Sequence, residues 1–415
     1  MMLIEVEANE QIRPSLTLAD FCGVSDLADL YRLEAPHLLN AEKRSELGQV
    51  FTPAAIAQFM ASLVTPTSEI NLLDAGAGAG ALSAALVEAA LNWTERPKCI
   101  RVTAYEIDEV AVSLLRSTLN ECYQVCVAHN IEFKHEIIQG DFIEKASLIT
   151  TGQRTLFDRG HQRWNIAVLN PPYRKINSDS HERLDLRRAG IETSNLYAAF
   201  VWLASKLVCD DGQIVAITPR SFCNGPYFSP FRKALLKDFY FERIHIFESR
   251  GHAFRDDEVL QENIIYKLTK GSNKKEVAIS ASFGEDHDLI SQRITNHADI
   301  VRPDDSEMFI HIVPDETGVR VSESARSLHH SLDDLGLSVS TGRVVDFRAK
   351  DALRDFSEEG QTVPLIYPQH MIDSEIVWPK TPAKKPNAIV QNASTQSLLI
   401  PNSHYLLVKR FSAKE

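Results

Sequence analysis

Four residues that could carry chemistry follow directly after the apolar run NIAVL. They are Asn170-Pro171-Pro172-Tyr173, and they combine a carboxamide, two prolines and an aromatic ring. Consecutive prolines fix the backbone, which suits a place where geometry must not drift. The Asn170 side-chain oxygen and the Pro171 carbonyl can hold both hydrogens of a planar amine, while Tyr173 stacks on its ring for about 1–3 kcal/mol. This set predicts chemistry at an exocyclic amine through positioning and electrostatics, without a strong base.

A glycine-rich loop with a preceding acid lies in the segment LLDAGAGAGALSAAL. Asp74, Gly76 and Gly78 stand between a predicted strand and a predicted helix. Glycines let a ligand approach the backbone, and a helix N-terminus offers free N–H groups. The spacing is GxGxG and not GxGxxG, which favours S-adenosylmethionine over a dinucleotide because no pyrophosphate must be cradled. A tight strand-to-helix turn without a ligand is the alternative for this loop taken alone.

Two more carboxylates follow later strands. Glu106 ends the second predicted strand about thirty residues after the glycines, where an acid can accept hydrogen bonds from both ribose hydroxyls of a nucleoside. Ile107 is placed beside it in the cofactor site. Asp141 and Phe142 end the third strand and fit the exocyclic amine and the ring of the cofactor's adenine. The alternatives are an acid that begins a helix for Glu106 and a plain turn for Asp141.

Apolar runs alternate with helical patterns over the middle of the chain. The predicted strands lie at 70–74, 100–106, 132–139, 165–169, 213–218, 241–247 and 262–270. The predicted helices run from Thr52, as N-cap before Pro53, to about Val64, from about Gly80, and over 108–128, 195–208 and 228–238. This alternation predicts an α/β fold with a mostly parallel, doubly wound sheet. The last two strands lack a helix between them, so they are expected to pair antiparallel at one edge.

The composition and the residue pattern divide the chain into three predicted regions. Residues 1–45 are predicted to be a helical segment of mixed charge, and residues 46–270 the α/β catalytic domain. From 271 to 415 the chain becomes polar and then rich in proline, which indicates a linker and a smaller, irregular domain.

Composition bounds the class of protein. The chain has 415 residues, 44% of them apolar, and no apolar run near the roughly 20 residues of a membrane span. Six scattered cysteines without a CxxC pair indicate reduced thiols, no metal site and a cytoplasmic protein. Because the net charge is −12, contacts with a nucleic acid need local basic clusters. The candidates are Arg174, Lys175, Arg183, Arg187, Arg188, Arg232, Lys233, Lys380, Lys384 and Lys385.

The motifs and their order resemble a known family. NPPY after DxGxGxG is typical of S-adenosylmethionine-dependent amino methyltransferases, and the chain resembles the N6-adenine DNA methyltransferases. GQVFTP (48–53) before the glycine loop, with the recognition region after the catalytic block, is similar to the gamma class. STGRVVDFR (340–348), PLIYPQHM (364–371) and YLLVKRFSAKE (405–415) resemble the PstI/BsuBI-type branch of type II modification enzymes.

The resemblance implies a Rossmann-like methyltransferase fold and the activity of a modification enzyme in a restriction-modification system. It implies methyl transfer from S-adenosylmethionine to adenine N6 in a specific sequence of double-stranded DNA, after base flipping that costs a few kcal/mol. Thr52 and Pro53 match the motif that touches the methionine end of the cofactor. Phe228 matches the second aromatic of the base pocket, with Tyr227 and Phe231 as competing choices. A site such as CTGCAG, a cognate endonuclease and a monomer are further implications.

Other functions are compatible with parts of this sequence. The tetrapeptide serves any planar amide-like nitrogen, so a glutamine side chain of a release factor or an RNA base is an alternative acceptor. GQVFTP and the long C-terminal region argue against the glutamine reading, and cytosine-N4 enzymes more usually carry serine in place of Asn170. A non-catalytic specificity subunit would show a damaged tetrapeptide or glycine loop, and both are whole. Because relatives continue beyond the segment VKRFSAKE, the recognition region is expected to be shorter than theirs.

Overall fold

The computed structural model describes most of the chain in eight stretches. They are residues 23–38, 48–152, 164–247, 262–271, 276–282, 289–358, 360–382 and 384–409. The chain separates into two compact units at Ala325/Arg326. Of the predicted N-terminal helical segment, the structure describes a helix at Val24–Leu38, and residues 1–22 and 39–47 lie outside the described part.

Within these stretches, nine strands form one sheet in the order β3-β2-β1-β4-β5-β7-β6-β8-β9. They are β1 (Glu69–Ala75), β2 (Cys99–Glu106), β3 (Glu132–Gln139), β4 (Trp164–Leu169), β5 (Val208–Pro219), β6 (Phe239–Phe247), β7 (Asn263–Lys270), β8 (Glu276–Ser282) and β9 (Leu289–Asn296). The strands from β3 to β5 are parallel to one another, while β7 is antiparallel to both of its neighbours. The predicted α/β class with a doubly wound, mostly parallel sheet is confirmed.

The described sheet contains the predicted antiparallel pair and an antiparallel edge strand, β9, but the pair does not itself form the edge. β6 and β7 do pair antiparallel, but β8 pairs in parallel with β6 and β9 continues beyond it. β8 alternates exposed or half-buried residues with buried ones, so only one of its faces is apolar in the sequence. The predicted boundary at 270 therefore falls inside this sheet.

Alternating side chains of the central strands feed two apolar cores, one on each face. In β4, Ile166 and Val168 join the core of one face, while Ala167 and Leu169 join the other, and all four are at most 1% exposed. Strands buried on both faces are continuous apolar runs, which explains why the segment NIAVL predicts a strand. The helices of this unit are Val24–Leu38, Ala54–Ser62, Ala81–Leu91, Glu109–Ala128, Phe142–Thr150, His181–Arg188, Leu196–Leu207, Ser229–Asp238, His297–Ile300 and, reaching the unit boundary, Glu316–Arg326.

The helix after GQVFTP begins one residue later than predicted. It spans Ala54–Ser62, and its N-cap residue is Pro53 in place of the predicted Thr52. The first helical N–H, of Ala54, instead donates to Asp29 Oδ1 at 3.0 Å. Thr52 was predicted to cap because threonine suits that position, but its hydroxyl has another partner described below.

The second unit contains short strands and turns. Within the described residues it holds an antiparallel sheet in the order β10-β14-β11 and a hairpin of β12 and β13. These strands are β10 (Leu353–Arg354), β11 (Thr362–Pro364), β12 (Met371–Ile372), β13 (Glu375–Ile376) and β14 (Ala388–Val390). His370 and Asn387 are buried and joined by a 2.9 Å hydrogen bond, so a polar pair holds much of this small core. This matches the predicted irregular texture.

Two further observations concern membrane-spanning helices and the cysteines. In the described part of the chain, no helix combines the length and apolar character that crossing a bilayer requires. The cysteines that the structure describes are free thiols, namely Cys99, Cys122, Cys126, Cys209 and Cys223.

Candidate active site

The glycine loop joins β1 to the helix Ala81–Leu91. The N–H groups of Gly76 and Ala77 both donate to the carbonyl of Tyr105 on the next strand at 2.9 Å. Gly78 and Gly80 have φ of 54° and 90°, a region that disfavours side chains. A Cβ at Gly80 would lie 2.9 Å from Leu115 Cδ1, so this glycine lets two helices pack closely.

Asp74, predicted as a cofactor residue, lies inside the protein beneath this loop. It is 0% exposed, and Ser83 Oγ donates to its Oδ2 at 2.5 Å. Its Oδ1 is buried with no hydrogen-bond partner among the described residues. Burial raises the pKa of Asp74 to about 7, with the Ser83 hydrogen bond opposing and the nearby Glu106 charge reinforcing the shift. The structure thus gives Asp74 the position of a support for the loop.

Glu106 is tied to the loop and to a remote segment. In the described residues, its Oε1 accepts from Ile107 N and Asp108 N at 2.9 Å and from Gln49 Nε2 at 3.2 Å. Its Oε2 accepts from Gly78 N at 2.8 Å. Burial raises the pKa of Glu106, while the backbone donors lower it. The predicted neighbour Ile107 contributes its N–H, and its side chain is exposed.

Asp141 and Phe142 begin the helix Phe142–Thr150. Asp141 is its N-cap and accepts from Ile143 N at 2.8 Å, and burial raises its pKa. Phe142 is 2% exposed, with its ring centroid 4.9 Å from that of Phe200. Phe200 in turn lies 3.5 Å from a Cβ built at Gly76. Sequence analysis missed Phe200 because an aromatic inside an apolar helix is indistinguishable from ordinary core.

The carboxamide of Asn170 has a defined orientation. Its Nδ2 donates to Thr52 Oγ1 at 2.9 Å and to the carbonyl of Val50 at 3.1 Å. A carbonyl cannot donate, so the nitrogen must face Val50 and the oxygen must face the other way. That Oδ1 accepts from Tyr173 OH at 3.1 Å. An amide oxygen has two lone pairs, so Oδ1 can accept one more hydrogen bond. Pro171, next in the chain, is buried.

The segment GQVFTP connects the two motifs. Gly48 O accepts from Tyr173 N at 3.3 Å, Gln49 binds Glu106, and Val50 and Thr52 bind Asn170. These contacts join residues 57 to 125 positions apart. Thr52 and Pro53 are predicted from the sequence as cofactor residues, whereas no local pattern predicts the long-range hydrogen bond of Gln49.

A cavity of about 630 Å³ lies beside the tetrapeptide. Its lining includes Tyr173, Asn195, Tyr197, Pro219, Ser221 and Asn224. The rings of Tyr173 and Tyr197 meet edge to face, at 87° with centroids 6.4 Å apart, and Tyr197 OH lies 3.0 Å from Ser221 Oγ. Charged side chains also line it, namely Arg174, Lys175, Arg220 and Glu262. A cavity with aromatic rings and many polar groups suits a planar heterocycle that carries hydrogen-bonding groups.

The three candidates for the second aromatic differ in exposure. Phe228 is 7% exposed and stacks on Tyr197 at 5.6 Å and 30°, and Phe231 is 1% exposed. Tyr227, on the same short 3-10 turn, is 84% exposed. In the described residues Tyr197, not Phe228, lines the cavity. Phe228 is therefore packed beside the cavity residue Tyr197 and is not itself part of the lining.

Most basic candidates near the tetrapeptide are paired with acids. Arg174 lies 3.1 Å from Glu182, and Arg183, Arg187 and Arg188 also form ion pairs on or beside the helix His181–Arg188. The prediction that Arg232 contacts a phosphate is wrong. It is 0% exposed, and its guanidinium donates to the carbonyls of Phe222, Gly225 and Glu307. Lys175 is exposed and lines the cavity.

Known proteins are similar to this chain in sequence and in fold. Residues 99–254 match the family model of the Eco57I restriction-modification methylase. The chain is 44% identical over 392 residues to the type II methyltransferase M.PstI of Providencia stuartii, and 44% identical over 396 residues to M.BsuBI of Bacillus subtilis. Each alignment covers 94% of this chain and 76% of the relative.

A solved structure supports the fold assignment. A modification subunit from Vibrio vulnificus YJ016, assigned to a type I restriction enzyme, matches with a TM-score of 0.51 at 14% identity, over 74% of this chain and 67% of that one. At this identity the likeness shows the fold alone. The relatives carry the assignment further: the chain belongs to the PstI/BsuBI-type family of type II methyltransferases of restriction-modification systems.

Proposed function

We propose that the chain transfers the methyl group of S-adenosylmethionine to N6 of an adenine in a specific sequence of double-stranded DNA, as the modification enzyme of a restriction-modification system. The observation that carries the proposal is the oriented Asn170 carboxamide, whose oxygen has capacity for one more donor beside a cavity of about 630 Å³. A cognate endonuclease for the same sequence and a monomeric enzyme belong to the proposal.

The residues around the glycine loop fit S-adenosylmethionine. A Cβ at Gly78 would lie 3.1 Å from Phe51 Cδ1, so glycine at this position lets the loop pack closely against that ring. Glu106 Oε2 accepts one N–H and can take one more donor. Bound S-adenosylmethionine supplies an electrophilic methyl group on a sulfonium. The residues proposed to hold it are Thr52, Pro53, Gly76, Gly78, Glu106, Ile107, Asp141, Phe142 and Asn170, with Asp74 beneath the loop.

The tetrapeptide would prepare the amine of the target. An exocyclic amine is a poor nucleophile because its lone pair is delocalised into the ring. Asn170 Oδ1 and the Pro171 carbonyl would accept its two hydrogens, which favours a tetrahedral nitrogen and directs the lone pair away from the ring. Tyr173 would stack on the base, and Phe228 remains the proposed partner for the other face. Asparagine at position 170 favours adenine over cytosine.

Access requires a base outside the duplex. The adenine amine is hidden inside the helix, so the base must flip into the cavity, at a cost of a few kcal/mol. The chain carries a net charge of −12, so the phosphates must meet local cations, and Lys175 at the cavity is an exposed one.

Expression in a bacterial host that lacks adenine methylation tests the proposal. Reading modified bases across the genome should reveal N6-methyladenine at one short sequence motif, and the Asn170→Ala chain should modify far fewer copies of that motif. N4-methylcytosine in place of N6-methyladenine, or no modified base although the chain is folded and abundant, would refute it.

A further inference from the structure

We propose that Gln49 is a further cofactor residue, whose side-chain oxygen accepts a hydrogen bond from a ribose hydroxyl of the methyl donor. This assignment rests on the proposed use of S-adenosylmethionine. It adds a second acceptor to the ribose site that the sequence assigned to Glu106 alone.

The hydrogen-bonding capacity of Glu106 is nearly used by the protein itself. A carboxylate offers about four lone-pair sites, two on each oxygen. Oε1 already accepts three N–H groups, from Gln49, Ile107 and Asp108, and Oε2 accepts one, from Gly78. One site on Oε2 is left for a ligand. A ribose brings two hydroxyls, so the second needs another acceptor.

Gln49 holds an acceptor next to this carboxylate. Its Nε2 faces Glu106 Oε1 at 3.2 Å, and this orientation is fixed because two oxygens facing each other would repel. Its Oε1 is buried and has no hydrogen-bond partner within the described residues. A buried amide oxygen without a donor is costly, about 1–3 kcal/mol, unless a ligand satisfies it. The hydroxyl of a nucleoside bound at Glu106 is a donor of the required kind.

The backbone supports this role. Gln49 lies between Gly48, which binds Tyr173 N, and Val50, which binds Asn170 Nδ2. The Gln49 side chain therefore projects from backbone whose two flanking residues are hydrogen-bonded to the tetrapeptide. A side chain anchored in this way is preorganised and costs little additional entropy when the ligand binds.

Calorimetry with modified ligands tests the assignment on the full chain. The ligands are S-adenosylhomocysteine and its 2′-deoxy and 3′-deoxy analogues, and the variants are Gln49→Met and Gln49→Leu. Both variants should bind S-adenosylhomocysteine about 5–10-fold more weakly. One deoxy analogue should bind the wild type more weakly by a similar factor, and should show no further loss in either variant. The matched control, Gln58→Met on the exposed face of the helix Ala54–Ser62, should leave all three affinities unchanged.

The outcomes separate two failures. If the affinity of either Gln49 variant falls by the same factor for all three ligands, the Gln49 oxygen contacts neither hydroxyl. The assignment is then overturned, while the proposed function stands. If the wild type binds none of the three ligands, the proposed donor is wrong and the assignment fails with it.

Discussion

The glycine loop and the turn formed by Asn170-Pro171-Pro172-Tyr173 occupy the carboxyl ends of β1 and β4, which are neighbours in the sheet, but they are built in opposite ways. The loop offers backbone N–H groups and close approach, and its acids, Asp74 and Glu106, are buried with raised pKa values. The turn offers neutral oxygens, on Asn170 and Pro171, held by prolines and by a segment about 120 residues away. A site that binds a nucleoside needs donors and acceptors around a preformed space. A site that activates an amine needs acceptors that do not take the proton.

The largest expected effect comes from removing the neutral acceptor. Asn170→Ala deletes one of two proposed contacts to the amine, a kind of loss that costs about 10²–10³ in rate. Methyl transfer in single turnover should fall by that factor, whereas affinity for S-adenosylhomocysteine should fall much less, because Asn170 is one of several residues proposed to hold the cofactor and the alanine leaves the ribose acceptors in place. The exposed Asn177→Ala is a matched control and should keep full activity. Full activity of Asn170→Ala would mean that the neutral acceptor of the turn has no role in transfer, and the contrast with the acidic glycine loop would fail.

Asp74→Asn should remove a pH dependence of stability. Below pH 4 this carboxyl is protonated in both states. Between about pH 4 and 7 the unfolded chain loses the proton while the folded chain keeps it, so the wild type loses stability as pH rises, by up to about 4 kcal/mol from this group. Urea unfolding at pH 5 and pH 8 should show a smaller decrease for the variant than for the wild type. Equal decreases would mean that Asp74 is ionised in the folded chain.

Glu106→Gln tests the acidic side of the comparison. The amide keeps the shape but loses the charge and places an N–H against backbone donors. A hydrogen bond to a charged group contributes about 1.5–3 kcal/mol, so S-adenosylhomocysteine should bind about 10–100-fold more weakly by calorimetry. Glu109→Gln, an exposed acid three residues later, should bind as the wild type does. An unaltered affinity in Glu106→Gln would move the ribose contact elsewhere.

The smallest effect separates two roles of Tyr173. Tyr173→Phe keeps the ring and loses the 3.1 Å hydrogen bond to Asn170, so transfer should slow by about 3–10-fold, as expected for one neutral hydrogen bond. Tyr173→Ala also loses the stacking face, so a fluorescent base analogue at the target position should show less flipping than with Tyr173→Phe. Identical fluorescence in the two variants would argue against stacking.

Local patterns predicted what is local in this molecule. The buried strands β1 to β7 and most of the helices between them follow from apolar runs and periodicity, although the short helices Phe142–Thr150 and His181–Arg188 were not predicted. The order of the motifs placed both sites at the same sheet edge. Thr52 was assigned as a helix cap because its partner, Asn170, is 118 positions away. Arg232 was assigned to the surface because three backbone carbonyls that satisfy a buried guanidinium are invisible in sequence. The same distance in sequence hid Gln49.

The most direct test of the central claim identifies the atom that receives the methyl group. Purified chain is incubated with S-adenosylmethionine carrying an isotopically labelled methyl group and with genomic DNA from a host without adenine methylation, and the DNA is then digested to nucleosides. The account predicts that the label is recovered in N6-methyldeoxyadenosine and that, at initial rates, Asn170→Ala gives about 10²–10³-fold less of it. Label in a methylated cytosine, or equal label with Asn170→Ala, would contradict it.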